Sequence, residues 1–303
     1  ITFLPRRLRE KLCVVIFDTM GIYWSMKYPN VVQEDLLKEW DLEPRGVDVK
    51  VFVPLGWSER YKEVGIEPDG VLAVNPADLT IDDWVETFGI ELFSPLGILL
   101  ERVVRKKPEN MDEMIENVEK DSKSENRIKE ALINRLEAAR RWGIFSEKGT
   151  RVQDLLSPGV INVFDLSLLG PKVKNLMIGL LTRKIFKLRV MARKMEERAR
   201  IEKHTAIGRE VSVKIPMPWI LIDEAHEYLP PNSNTPSARA LIQVIREGRQ
   251  PGITLVLATQ QPGKIHSDVM TQADIVLSHR VCLLYTSDAA DELDGVDLGG
   301  RRI

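Results

Sequence analysis

Two carboxylates stand side by side where an apolar run ends: Trp219-Ile220-Leu221-Ile222 is followed directly by Asp223-Glu224, then Ala225-His226-Glu227. A short apolar run of this kind reads as a buried strand. Such a strand would deliver both acids to the carboxyl edge of a sheet, where open α/β folds bind ligands. The first acid could hold the water shell of a Mg²⁺ ion. The second could orient and polarise the water that attacks a γ-phosphate. The plainer reading is an acidic strand end followed by a capped helix.

A second constellation weighs against that plainer reading. Arg246-Glu247-Gly248-Arg249-Gln250-Pro251-Gly252 leads into the apolar run Ile253–Ala258, which ends in Thr259-Gln260-Gln261-Pro262. A strand here, beside the acid-bearing one, would set the Gln260 amide near a γ-phosphate, with Thr259 next to it. Arg246 or Arg249, ahead of that strand, would lie on the surface within reach of a neighbouring subunit's nucleotide. A planar guanidinium suits phosphate oxygens, although either arginine could equally serve as a favourable charge at a helix C-terminus. Asp18, at the end of the run Leu12–Asp18, is either a further acid at the site or an ordinary strand-end acid.

Other candidates are weaker. Lys184, Lys187, Arg189, Arg193 and Lys194 make a basic stretch that DNA phosphates would favour, but a solvated helix face explains it better. Four histidines show no ligand spacing, and His226 reads as a structural or coupling residue. Cys13 falls inside a strand and reads as a small core residue.

The elements that would position these residues alternate in type. Leu12–Asp18, Val49–Val53, a weaker Val71–Val74, Val160–Asp165, Trp219–Ile222, Ile253–Ala258 and Ile275–Leu277 are strand candidates. Lys172 to about Lys203 is a long helix with apolar positions at helical spacing, including Val173, Leu176, Leu180 and Ile185. Residues 202–218 form a polar connector. Ser237–Glu247 is a second helix, with Thr235 as its N-cap, Pro236 at its first position and Gly248 as its stop. Between about Thr80 and Phe145 the character changes. Asp82-Asp83-Trp84 opens a helix, Pro95–Lys106 continues amphipathically, and Met111–Trp142 is charged with helical spacing, which together predict a helical insertion. Alternating strands and helices predict an α/β fold with a mostly parallel sheet covered on both faces.

Composition narrows the class. With 44% hydrophobic and 29% charged residues, the balance is that of an ordinary globular protein. The longest apolar runs fall well short of the ~20 residues a membrane helix needs, and no secretory signal opens the chain. Two cysteines among 303 residues provide neither a disulfide framework nor a metal quartet, which points to a reducing, cytoplasmic setting.

Taken in order, IDEAHEYLP, IREGRQPGITLVLATQQP and TQADIVLSHRV resemble the HerA/FtsK superfamily of P-loop ATPases, especially archaeal HerA-like proteins. VVIFDTMGIYW and GVINVFDLSLL resemble the segments between that family's P-loop and its Walker B strand. The resemblance runs from about Leu12 to Val281, and the insertion matches only in character. It implies a RecA-like core in a hexameric, ATP- and Mg²⁺-dependent motor acting on double-stranded DNA, with a nuclease as a possible partner. Position by position, it makes Asp223 the Walker B acid that holds Mg²⁺ through water and Glu224 the catalytic glutamate. It makes Gln260 the sensor, and Arg249 or Arg246 the arginine acting across the subunit interface. A conjugation or type IV secretion pump and a non-catalytic ATPase-like subunit are the alternatives. A DEAH-box helicase, suggested by the letters DEAH alone, lacks the upstream segments of that family.

Two departures stand out. GxxxxGK[ST] occurs nowhere, although the family order places it just ahead of Leu12. The simplest expectation is that it was lost together with an initiator Met. Where the family commonly has Gly-Glu-Tyr, this chain has Gly21-Ile22-Tyr23-Trp24. Finally, residues 282–303 resemble a translated sequencing-library adapter and are expected to be non-native. The expected organisation is therefore a first core part over 1–79, a helical insertion over 80–150, a second core part over 151–281, and an adapter-derived tail.

Overall fold

A computed structural model describes residues 4–204 and 215–278. Most of the connector at 202–218 and the suspected adapter tail lie outside the described residues.

Six parallel strands form one sheet in the order β3-β2-β4-β1-β5-β6. They are β1 (Leu12–Asp18), β2 (Val49–Pro54), β3 (Gly70–Leu72), β4 (Ile161–Asp165), β5 (Met217–Ile222) and β6 (Thr254–Leu257). The central strands are deeply buried, as cover on both faces requires: β1 exposes none of its residues, and every residue of β4 is buried. Their register sets Asp18 beside Asp165, while Ile222 pairs with both Phe17 and Leu257. The carboxyl ends of β4, β1, β5 and β6 therefore share one edge.

The longer helices are α1 (Ser58–Glu63), α2 (Ile81–Phe88), α3 (Pro95–Val104), α4 (Met111–Glu119), α5 (Asn126–Arg140), α6 (Pro171–His204), α7 (Pro236–Glu247) and α8 (Ser267–Gln272). Helices α2 to α5 lie between β3 and β4, where the insertion was expected. Local chemistry accounts for their starts. Thr80 and Asp83 form a reciprocal capping box on α2, Ser94 caps α3 with Pro95 at its first position, and Asn110 caps α4. The stretch read as helical from Met111 to Trp142 is two helices. Between them, Asp121 accepts two hydrogen bonds from Arg102 and the Lys123 N–H, in a Ser-rich turn that interrupts the periodicity.

Helix α6 is the spine onto which the helices between β3 and β4 dock. Arg183 donates to both oxygens of the fully buried Asp83 at 2.7 Å each, and Lys184 pairs with Asp78 at 2.5 Å. Gly179 permits the close approach of α7, since a Cβ there would lie 2.4 Å from the Pro236 carbonyl carbon.

The structure corrects two expectations. Ile275–Leu277 is not a strand: its three side chains are exposed and the segment pairs with no described strand. Apolar composition alone does not make a strand: β6 ends the sheet with an open edge, and the segment does not pair with it. The sheet is also not covered evenly. A second apolar cluster covers β1, β2 and β4 on the face opposite α6, but its cover reaches only as far as Leu221. Trp219 and Val256 beyond it are exposed on β5 and β6.

Candidate active site

Asp223 and Glu224 emerge from β5 at the middle of the shared edge. The Asp223 carboxylate is held from two sides: Oδ1 accepts the Glu224 N–H at 2.9 Å and Oδ2 accepts the Tyr23 hydroxyl at 3.2 Å. Glu224 adopts φ 48° and ψ 45°, a left-handed conformation that costs a non-glycine residue about 1–2 kcal/mol. One of its oxygens, Oε1, accepts the Gln260 side-chain amide at 2.7 Å. The other, Oε2, is buried and makes no hydrogen bond. His226 Nδ1 lies 3.4 Å from Oε2, but it is poorly aligned with that oxygen and engages Thr259 instead. A strained glutamate with one oxygen fixed and the other unsatisfied is the kind of local conflict that functional sites retain.

Behind Glu224, His226 ties the ends of β5 and β6 together. Its Nδ1 is 3.1 Å from Thr259 Oγ1, and its Nε2 is 3.1 Å from the Gln261 side-chain nitrogen. Because that amide nitrogen is a donor, Nε2 accepts and Nδ1 carries the proton donated to Thr259. Thr259 Oγ1 also accepts the Gln261 N–H at 3.0 Å. The Thr259 hydroxyl is thus engaged within the protein, while Gln260 is exposed and turned toward Glu224.

Asp18 is fully buried and serves the turn that follows β1. Its carboxylate accepts the N–H groups of Met20 (3.1 Å), Gly21 (2.7 Å) and Tyr23 (2.8 Å). Burial raises its pKa, these amides oppose the rise, and the neighbouring Asp165 adds to it. Gly21 is required at this turn: φ is +75°, and a Cβ would meet Ser167 Oγ at 2.7 Å. The Tyr23 phenol is pushed up to about 12, first by burial and then by the Asp223 charge, so it is a hydrogen-bond donor at neutral pH.

The two arginines differ. Arg246 pairs with Asp268 on α8 at 2.6 Å. Arg249 is exposed and makes no ion pair with a described residue. The loop carrying Arg249 is anchored by Arg189, whose Nε donates to the Pro251 carbonyl at 2.9 Å. Arg189 Nη1 donates to the Ile215 carbonyl at 2.6 Å and to Glu196 at 3.0 Å. Arg189 is only 1% exposed, so the basic stretch on α6 is not one solvated face: Arg189 is buried, Lys184 is paired, and Arg193 pairs with Glu196 and Glu197. The spacing of Arg189 from Ile185 and Ala192, both buried, is the signal that identifies it as inward-facing. Tyr23 carries no comparable signal, because its partner is 200 residues away.

Among the described residues no three His, Cys, Asp or Glu side chains converge as a metal cage. A single strand-end carboxylate such as Asp223 fits a Mg²⁺ ion that keeps several waters and shares substrate phosphates, and it does not fit an all-protein site.

A parallel α/β sheet with paired acids at its carboxyl edge and a glutamine on the neighbouring strand is the class of the ATPases with a RecA-like core. A sequence profile of the zonular occludens toxin (Zot) family matches residues 217–282. The DNA double-strand break repair helicase HerA of Pyrococcus furiosus is 24% identical over 300 residues, covering 88% of this chain and 51% of the helicase. HerA of Sulfurisphaera tokodaii is 28% identical over 190 residues, covering 59% of this chain and 36% of that protein. The chain thus spans about half the length, or less, of these relatives. Among solved structures, VirB4 of Thermoanaerobacter pseudethanolicus aligns with a TM-score of 0.38 at 14% identity, covering 86% of this chain and 71% of that one. Along these stretches the chain is similar to the HerA helicases. Among the described residues no helix is long and apolar enough to cross a membrane.

Proposed function

We propose that this chain carries the hydrolytic face of an ATP-driven motor that translocates double-stranded DNA. The observation that supports this most is Glu224: strained, held at Oε1 by the Gln260 amide, left without a hydrogen bond at Oε2, and directly following Asp223 at the strand end. In this reading Glu224 is the catalytic base, and its carboxylate orients the attacking water and takes its proton. Asp223 holds Mg²⁺ through water; when bound, that ion neutralises charge on the phosphate oxygens. Gln260, bonded to Glu224, links the state of the nucleotide to the end of β6. Arg249, exposed and without an ion pair among the described residues, reaches the nucleotide of the adjacent subunit in a homohexamer, and Arg246 stays with Asp268. Asp18 and Thr259 act indirectly, through the turns they hold. A phosphate cradle must come from outside these residues, because GxxxxGK[ST] does not occur in the sequence. Residues 80–150 are an insertion docked on α6, and a nuclease is the candidate partner.

The test is ATP hydrolysis by the intact gene product with and without linear duplex DNA. The expected result is hydrolysis accelerated by DNA. Equal rates in both conditions would refute a DNA motor.

A further inference from the structure

Building on that reading of Asp223, we propose that Tyr23 is a positioning residue whose hydroxyl sets the orientation of the Asp223 carboxylate for its Mg²⁺-bound water shell. The carboxylate has two donors and no others among the described residues: the Glu224 N–H on Oδ1 and the Tyr23 hydroxyl on Oδ2. The first is local and comes with the turn itself. The second crosses from the loop after β1, so the plane of the carboxylate depends on where that loop places a phenol. One donor on each oxygen still leaves acceptor capacity on both for metal-bound water.

That loop is built to hold Tyr23 still. Three successive contacts from Asp18 fix the turn, the last of them to the Tyr23 N–H itself. The left-handed Gly21 lets the turn close against Ser167, and Trp24 Nε1 donates back to the Gly21 carbonyl at 3.0 Å. Tyr23, like Trp24 and Leu221, packs against the second apolar cluster. Ring and hydroxyl therefore have separate tasks, packing for one and orientation for the other, and Tyr23→Phe removes only the second. Partners that orient a metal-holding carboxylate typically change metal affinity by about 10–100-fold when removed.

The experiment uses Mn²⁺ as the probe. The intact gene product is titrated with Mn²⁺ in the presence of a non-hydrolysable ATP analogue, with free Mn²⁺ read by electron paramagnetic resonance. Tyr61→Phe is the matched control, because Tyr61 belongs to the same apolar cluster, and its hydroxyl lies 3.3 Å from Ser167 Oγ and makes no hydrogen bond to Asp223. Tyr23→Phe is expected to raise half-saturating Mn²⁺ about tenfold without lowering analogue affinity at saturating metal, and Tyr61→Phe to leave both unchanged. An unshifted Tyr23→Phe curve, or an equal shift in Tyr61→Phe, would overturn the positioning role while leaving the nucleotide site intact. A wild-type protein that binds the analogue without any metal dependence would overturn the reading of Asp223, and this role with it.

Discussion

The helices between β3 and β4 and the turn after β5 follow opposite rules. In the helices, local and long-range preferences agree: N-caps sit where sequence places them, apolar positions face inward, and Trp84 stacks on Phe145 with ring centroids 5.5 Å apart. In the turn they conflict, since Glu224 takes a left-handed backbone without being glycine and buries an oxygen without a partner. Agreement across levels marks a region selected for stability, and a retained conflict marks one selected for chemistry. Changes in the helices should therefore cost stability, and changes in the turn should cost chemistry.

The sharpest way to break this comparison is at the buried ion pair. Asp83→Ala leaves Arg183 without its partner and is expected to cost about 3–5 kcal/mol in urea unfolding. A loss too small to measure would mean that the insertion is not docked through this pair. Asp18→Asn is expected to cost about 1–3 kcal/mol, because an amide cannot accept all three N–H groups that the carboxylate accepts. Wild-type stability here would remove the turn's claim to rigidity.

The acid limb of the stability curve adds a smaller effect. Hydrogen bonds from Arg102 hold Asp121 down to about 2. Because the folded pKa is depressed, the stabilisation is fully present above the ordinary carboxylate pKa. It is lost as pH falls from there through about 2. Asp121→Asn is expected to remove about 1 kcal/mol at neutral pH, discounted for partial exposure, and to flatten the curve in that window. An unchanged slope between wild type and variant would contradict it. The smallest effect has the opposite sign. Glu224→Gly relieves the left-handed strain and should raise thermal stability by up to about 1 kcal/mol while removing the carboxylate proposed as the catalytic base. A destabilised glycine variant would make Glu224 a structural residue.

Much of this was legible in the sequence where information is local. The helix start at Thr235, the helix opening at Asp82-Asp83-Trp84 and the strand ending at Asp223 follow from capping chemistry and apolar runs. The nearness of Gln260 to Glu224 was legible as well, because consecutive β-α-β units in a parallel sheet tend to bring strands side by side. What sequence could not show is decided by distant partners. Tyr23 meets Asp223 across 200 positions, and Arg189 is drawn inward by the carbonyls of Ile215 and Pro251. Asp18 was recognised as a strand-end acid, yet its three amide partners depend on how tightly the Gly21 turn closes against Ser167. The false strand at Ile275–Leu277 shows the same limit: β6 leaves an edge open, and apolar composition alone does not bring the segment to it.

Glu224 is the residue on which the proposed chemistry rests, and Glu224→Gln in the intact gene product tests it most directly. Gln keeps the size and the ability to accept from Gln260 but cannot take a proton. The expected result is unchanged binding of ATP with hydrolysis reduced about a hundredfold or more. Hydrolysis close to the wild-type rate would show that another residue handles the water and that the strained turn at Glu224 is not the catalytic centre.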